Sequence, residues 1–223
     1  MPAHPSAQNI KVAVDAAIFT LKDGALCLLL IQMKKKPHTG RWAIPGGLIE
    51  RNETAEAAAR RILKTQTGVG EAYLEQLGTF DDPKRDPLGR VVSIASYALM
   101  PSEHVKLATT AKYADVRWWP VAKLPALAYD HAEIARTALD RLRAKLGYTN
   151  VVWSLLPKEF TLQRIQDAYE GILAKPLDKR NFRKKILSLG LLEETGRTER
   201  GGAHRPAALY RFKKRSLVYL DIL

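Results

Sequence analysis

GGLIERNETAEAAARRILKTQTGV, residues 46–69, is the stretch on which the reading of this 223-residue chain turns. Residues 54–67 are rich in Ala and free of Gly and Pro, which predicts a helix that stops before Gly68. Positions 62, 65 and 66 stand at i, i+3 and i+4, so they share one face of that helix. They hold Ile62, Thr65 and Gln66, and none of the three carries a charge. Just ahead of the helix, Pro45-Gly46-Gly47 breaks off the short apolar run Trp42-Ala43-Ile44.

Outward from that stretch, strand signals alternate with turns. Residues 12–19 and 25–33 are apolar runs of strand length, joined as a hairpin at Lys22-Asp23-Gly24. Residues 73–80 and 90–100 read as strands flanking DDPKRDPLG, and 116–120 as another. Asp130 with Glu133 resembles a capping box that opens a helix running to about Lys145. Mixed strands with two helices predict an α/β sandwich over residues 1–148. After Gly147 the pattern changes. Leu162, Ile165, Tyr169, Ile172 and Leu173 have helical spacing, and Pro176 forces a break. Asp178 then caps a helix over 179–189, stopped by Gly190. Residues 191–192 and 208–212 read as short strands around a loop, 195–206. Helix, tight turn, helix and β-hairpin is the order of a winged helix-turn-helix, placed at 149–223.

Composition bounds the function classes. The chain is 46% hydrophobic and 26% charged, the balance of an ordinary globular protein. No apolar run approaches the roughly 18 residues that span a bilayer, and the N-terminus lacks a signal-peptide pattern, so the expected compartment is the cytoplasm. Cys27 is the sole cysteine, which excludes an intrachain disulfide and a cysteine-rich zinc site. The net charge is +13; residues 149–223 hold 15 Lys and Arg against 8 Asp and Glu, residues 1–148 hold 21 against 15. Net positive charge, +7 against +6, is thus about twice as dense in the last third, which favours a polyanionic partner such as nucleic acid.

The second helix of the C-terminal part sharpens that expectation. Measured from Phe182 at 100° per residue, Ile186 and Leu189 fall within about 40° and form a packing face. Arg180, Arg183 and Lys184 are read on the opposite side, with Asn181 and Lys185 flanking. Asn181 suits adenine and Arg180 or Arg183 guanine in a major groove. Lys179 and Arg180 oppose the helix macrodipole, a local cost that an anion at the helix start would relieve. The Gly-rich hairpin tip adds Arg197, Arg200, His204 and Arg205, suited to a wing laid along a phosphate backbone.

Residues 46–69 resemble the Nudix box, the family pattern G, five residues, E, seven residues, R-E-U-x-E-E-x-G-U with U aliphatic. Gly47, Glu53, Arg61, Leu63, Gly68 and Val69 fall on its positions without a gap. Ile62, Thr65 and Gln66 stand where that family has three glutamates, whose carboxylates hold divalent cations on the substrate phosphates. The resemblance therefore implies a Nudix-like α/β/α sandwich over about 10–146 with no catalytic residues, no bound metal and no cofactor. Its cleft can still bind a phosphorylated ligand, with Arg41, Arg61 and the amides of Gly46 and Gly47 as candidates; Glu53 in the family braces the loop against the box Arg, here Arg61. FTLQRIQDAYEGIL, PLDKRNFRKKIL, LGLLEETG and RGGAHRPAALYRF extend the likeness over almost the whole chain to the Nudix-related transcriptional regulator (NrtR) family. That resemblance implies a homodimer on a palindromic double-stranded DNA operator of NAD-metabolism genes, usually repressing, and relieved by ADP-ribose or a related nucleotide. Two alternatives stay open on the residues alone. One is a hydrolase of nucleoside-diphosphate sugars with metal ligands at Glu50 and Asp81 or Asp82; the other is an RNA-binding adaptor.

Overall fold

The computed structural model describes residues 9–69, 71–105, 107, 112–199 and 206–220. Ten strands and four α-helices follow one another along them. The N-terminal part contains β1 (Lys11–Lys22), β2 (Ala25–Met33), β3 (Trp42–Ala43), β4 (Gly46–Leu48), α1 (Ala55–Thr67), β5 (Tyr73–Phe80), β6 (Val91–Leu99), β7 (Tyr113–Pro120) and α2 (His131–Tyr148). The C-terminal part contains β8 (Phe160–Thr161), α3 (Leu162–Leu173), α4 (Lys179–Ser188), β9 (Leu192–Glu199) and β10 (Ala207–Phe212).

Strand β1 organises the first sheet. It pairs in parallel with β6, antiparallel with β2 and, near its start, antiparallel with β4; β5 closes the β6 side, while β3 and β7 pair with β2. The β1–β2 turn has positive φ at both Asp23 (51°) and Gly24 (75°), as a two-residue type I′ hairpin requires. Alternation along the strands divides their side chains between two cores. Val14, Ala16, Ile18, Leu29 and Ile31 face α1, where Ala58, Ile62 and Leu63 are buried against them. Ala17, Phe19, Leu28 and Leu30 face the other way, onto Ile134, Ala138, Leu142 and Leu146 of α2. The result is the expected α/β/α sandwich.

The core on the α2 side does not stop where α2 ends. It runs on through Val151, Leu155, Phe160, Ile165, Tyr169, Ile172, Phe182 and Phe212, so the winged part shares it. At the joint the β1–β2 turn presses on α3: a Cβ at Gly171 would lie 2.6 Å from the Gly24 carbonyl oxygen. Arg143 of α2 also donates to the Ile172 carbonyl, 3.0 Å away, near the end of α3.

Three local expectations are corrected. Asp130 does precede α2, but its carboxylate makes no cap; it is held by Arg85, and only its backbone carbonyl receives the Glu133 N–H. The helix runs past Lys145 to Tyr148. Strand β9 extends to Glu199, so residues 195–199 of the expected loop belong to it, Thr198 and Glu199 pairing with β10 beyond an irregularity, and a short strand, β8, joins the sheet as a third. No helix of the described residues is long and apolar enough to cross a membrane.

Candidate functional site

The loop before α1 is fixed by Arg61, which pairs closely with Glu53 and, at 3.7 Å, with Glu50. Arg61 donates to both carboxylate oxygens of Glu53, Nε to Oε1 and Nη2 to Oε2, each at 2.7 Å, and Nη2 also reaches the Leu48 carbonyl at 3.3 Å. The second Glu53 oxygen accepts the Glu50 N–H as well. The hydrogen bonds from Arg61 hold the Glu53 carboxyl down to about 2. The expected brace is present, and it occupies the guanidinium that the sequence also offered as a ligand contact. On the shared helix face, Ile62 is buried against the sheet, Thr65 donates its hydroxyl to the Arg61 carbonyl (2.7 Å), and Gln66 is buried. Among the described residues no group of three or more His, Cys, Asp or Glu is placed to hold a metal ion, so Glu50, Asp81 and Asp82 do not form one.

A cavity of about 250 Å³ opens beside this loop, between β1, β2, β4, β7 and the start of α2. Asp15, in the middle of β1, forms its buried centre. Its Oδ2 accepts from Arg85 Nη2 (3.0 Å) and Ser93 Oγ (2.6 Å), and its Oδ1 lies 3.4 Å from His131 Nε2. Arg85 is chelated from behind by Asp130, at 2.8 Å through both Nε and Nη2. His131 Nδ1 accepts the Ile44 N–H (2.9 Å), which leaves Nε2 as the protonated nitrogen facing Asp15. Burial alone would raise the Asp15 pKa; the His131, Ser93 and Arg85 partners overcome it and hold the carboxyl at about 2. Gly46 packs so closely that a Cβ there would lie 2.1 Å from Asp15 Oδ1. Tyr129, at φ 54°, forms a wall between the rings of His38 and His131, 4.3 and 5.1 Å away. A larger cavity of about 900 Å³ lies between the β1–β2 turn and α3. Its polar lining, such as Gln163, Arg164 and Asp167, is exposed, whereas the smaller one converges buried ionised groups and is the better candidate site.

Of the ligand residues expected from sequence, Gly46 and Gly47 line this cavity, while Arg41 and Arg61 do not. Arg41 is exposed on a turn whose backbone bonds to Met33 and His38. Asp15, Arg85, Tyr129 and His131 were missed. An Asp inside the apolar run VAVDAAIFT was a legible signal for the first; the others carried none.

In the winged part, Asp178 Oδ1 caps α4 by accepting the Asn181 N–H (2.8 Å). Phe182 and Ile186 are buried, with the Phe182 ring 5.1 Å from Tyr169 of α3. Lys179, Arg180, Asn181, Lys184 and Lys185 are exposed. Arg183 is corrected: one residue past Phe182 it sits 100° round the helix, not opposite, and is half-buried with Nη2 donating to Gln163 of α3 at 3.3 Å. Arg197 belongs to strand β9 and pairs with Glu159. Arg200, His204 and Arg205 lie outside the described residues.

Comparison with known proteins divides along the same lines. Residues 10–142 match the NUDIX domain family, and residues 152–212 match the NrtR DNA-binding winged helix domain. The ADPR responsive transcriptional repressor NtrR of Acinetobacter baylyi is 37% identical over 90% of this chain and 81% of its own. Shewanella oneidensis NrtR complexed with a 27mer DNA is 35% identical with a TM-score of 0.80, covering 91% of this chain and 93% of that one. The NUDIX domain of the same Shewanella protein, complexed with ADP ribose, matches 63% of this chain and 94% of its own at 35% identity and a TM-score of 0.56. An ADP-ribose pyrophosphatase of Methanocaldococcus jannaschii is 38% identical over 61% of this chain and 75% of its own.

Proposed function

The chain belongs to the NrtR family, a NUDIX domain followed by the NrtR winged helix, and from that premise we propose that it is a DNA-binding transcriptional repressor of NAD biosynthesis or salvage genes, relieved by ADP-ribose or a related nucleotide. The observation that carries the reading is α4. Its apolar face, Phe182 and Ile186, is buried on α3, and Lys179, Arg180, Asn181 and Lys184 are left free to meet a groove. Asn181 and Arg180 are assigned to base edges, Lys179, Lys184 and Arg197 to phosphates. Arg183 supports α3 through Gln163 and reaches DNA from the helix flank. The wing tip, with Arg200, His204 and Arg205, is assigned to the backbone beside the groove. The working division is 1–148 for effector binding and 149–223 for DNA, with two copies meeting a palindrome about a two-fold axis.

The effector is assigned to the cavity around Asp15 and Gly46. Hydrolysis is not assigned to it. Ile62 is apolar and buried, the Thr65 hydroxyl is committed to a backbone carbonyl, and Gln66 is buried. That donor set does not fit a hard divalent cation, which takes carboxylate and water oxygens. The effector instead acts by binding the DNA-free arrangement of the dimer more tightly than the DNA-bound one. Gel-shift titration of the full chain on promoter fragments of NAD-biosynthesis genes, with and without ADP-ribose, tests this. Tight, sequence-selective binding that ADP-ribose weakens is the expected result; affinity equal to that for random DNA refutes it.

A further inference from the structure

The polarity of the Asp15 cavity changes from depth to rim. Its interior holds Asp15 and Arg85, with Asp130 behind them, all but closed to solvent. Two carboxylates against one guanidinium leave that interior with an excess of negative charge. Arg85 spends Nε and Nη2 on Asp130 and Asp15, so only Nη1 is left to meet a ligand, and its charge is already balanced by two carboxylates. His131 offers no donor elsewhere either, since Nδ1 is an acceptor for Ile44 and Nε2 points at Asp15. The lining cations Lys11 and Lys112 lie at the exposed rim. At about 250 Å³ the cavity is also smaller than the roughly 300–1,000 Å³ that encloses a drug-sized ligand, so it takes one end of a dinucleotide-like molecule.

Asp15 retains acceptor capacity. A carboxylate offers about four lone-pair sites. Oδ2 is used twice and Oδ1 once, by a long contact to His131. Resting on the assignment of the effector to this cavity, we propose that Asp15 is the acceptor that anchors an uncharged, donor-bearing end of the effector, and that the diphosphate stays at the rim beside Lys11 and Lys112. Two parts of ADP-ribose supply that chemistry, the hydroxyls of the terminal ribose and the amino edge of the adenine. A phosphate group does not fit the charge of the interior, where two carboxylates already face one guanidinium.

Calorimetric titration of the full chain, wild type and Asp15→Asn, with ADP-ribose, inosine diphosphate ribose and ADP tests the proposal. Asp15→Asn is expected to weaken ADP-ribose at least tenfold. On the wild type one analogue is expected to lose a similar factor: ADP, which lacks the terminal ribose, or the inosine compound, which lacks the amino group. Which of them loses identifies the end that enters, and that discrimination collapses in Asp15→Asn, an effect a merely structural role would not produce. Unchanged ADP-ribose affinity in a folded Asp15→Asn overturns the proposal. So does a wild type that binds all three ligands equally, a result that stands even if the variant fails to fold. Failure of the wild type to bind any of them refutes the effector assignment itself.

Discussion

Replacing Gly171 by Ala sets two effects of opposite sign against each other. Gly171 lies inside helix α3, where Ala is intrinsically better by about 1 kcal/mol. The Cβ that Ala adds would lie 2.6 Å from the Gly24 carbonyl oxygen and 3.4 Å from Leu21 Cδ2. The first contact is with backbone in a tight hairpin turn, which cannot swing aside as a side chain would. Overpacking of this kind costs roughly 1–3 kcal/mol, and the upper part of that range applies here. The net loss is then about 1–2 kcal/mol. At roughly 2–4 °C per kcal/mol for a chain of this length, Tm should fall by about 2–8 °C. Thermal unfolding followed by circular dichroism, wild type beside Gly171→Ala, reads this directly. A rise in Tm would show that helix propensity wins and that the hairpin and α3 are not in the contact described.

Other outcomes follow from the two sites. The Asp15 carboxyl is held at about 2 against an ordinary value of 3.8, so its stabilisation is full above the ordinary value and is lost as pH falls through about 2. At about 1.4 kcal/mol per pKa unit this is on the order of 2 kcal/mol. Urea unfolding of wild type and Asp15→Asn should give a stability gap that narrows between pH 5 and pH 2.5; a gap independent of pH would contradict the network. Arg180→Ala should weaken operator binding by about 1–3 kcal/mol and random DNA by less, measured by fluorescence anisotropy; equal losses would make it a phosphate contact only. Incubation with magnesium and ADP-ribose should release no product, and turnover at ordinary Nudix rates would reinstate a hydrolase.

Much of this fold was legible because its signals are local. Thr54 and Gly68 bracket α1, Asp178 caps α4, and Asp23-Gly24 makes a two-residue turn; each depends on backbone chemistry within a few residues. The Glu53–Arg61 brace was legible as well, through its place in a known spacing. What could not be read was long-range. Arg85 is separated from Asp15 by 70 residues and from Asp130 by 45, and nothing near it in the chain marks it as buried. Asp130 misled for the same reason: its neighbours describe a capping box, but a distant guanidinium claims the carboxylate. Arg183, at 100° from Phe182, lies on the flank of α4, where contact with Gln163 of α3 depends on how the two helices pack and not on the helix alone. Strand β9 ran longer than expected because its ladder with β10, beneath polar residues from Glu193 to Glu199, leaves little hydrophobic pattern to see.

The core that passes from α2 into α3 and the wing also bears on how a signal can leave the cavity. A swivel between the two parts would have to pull Ile165, Tyr169 and Ile172 away from the layer formed by Phe19, Leu28 and Leu142, all of which are buried. Such a break forfeits apolar burial at several side chains at once, which makes it an expensive way to answer a small molecule. In the dimer proposed above, each copy would therefore behave like one arm of a pair of callipers, with the reading helix fixed to the arm. The adjustable quantity is the gap between two arms, so the strength of the response should depend on residues where the copies meet and not on the stretch between α2 and α3.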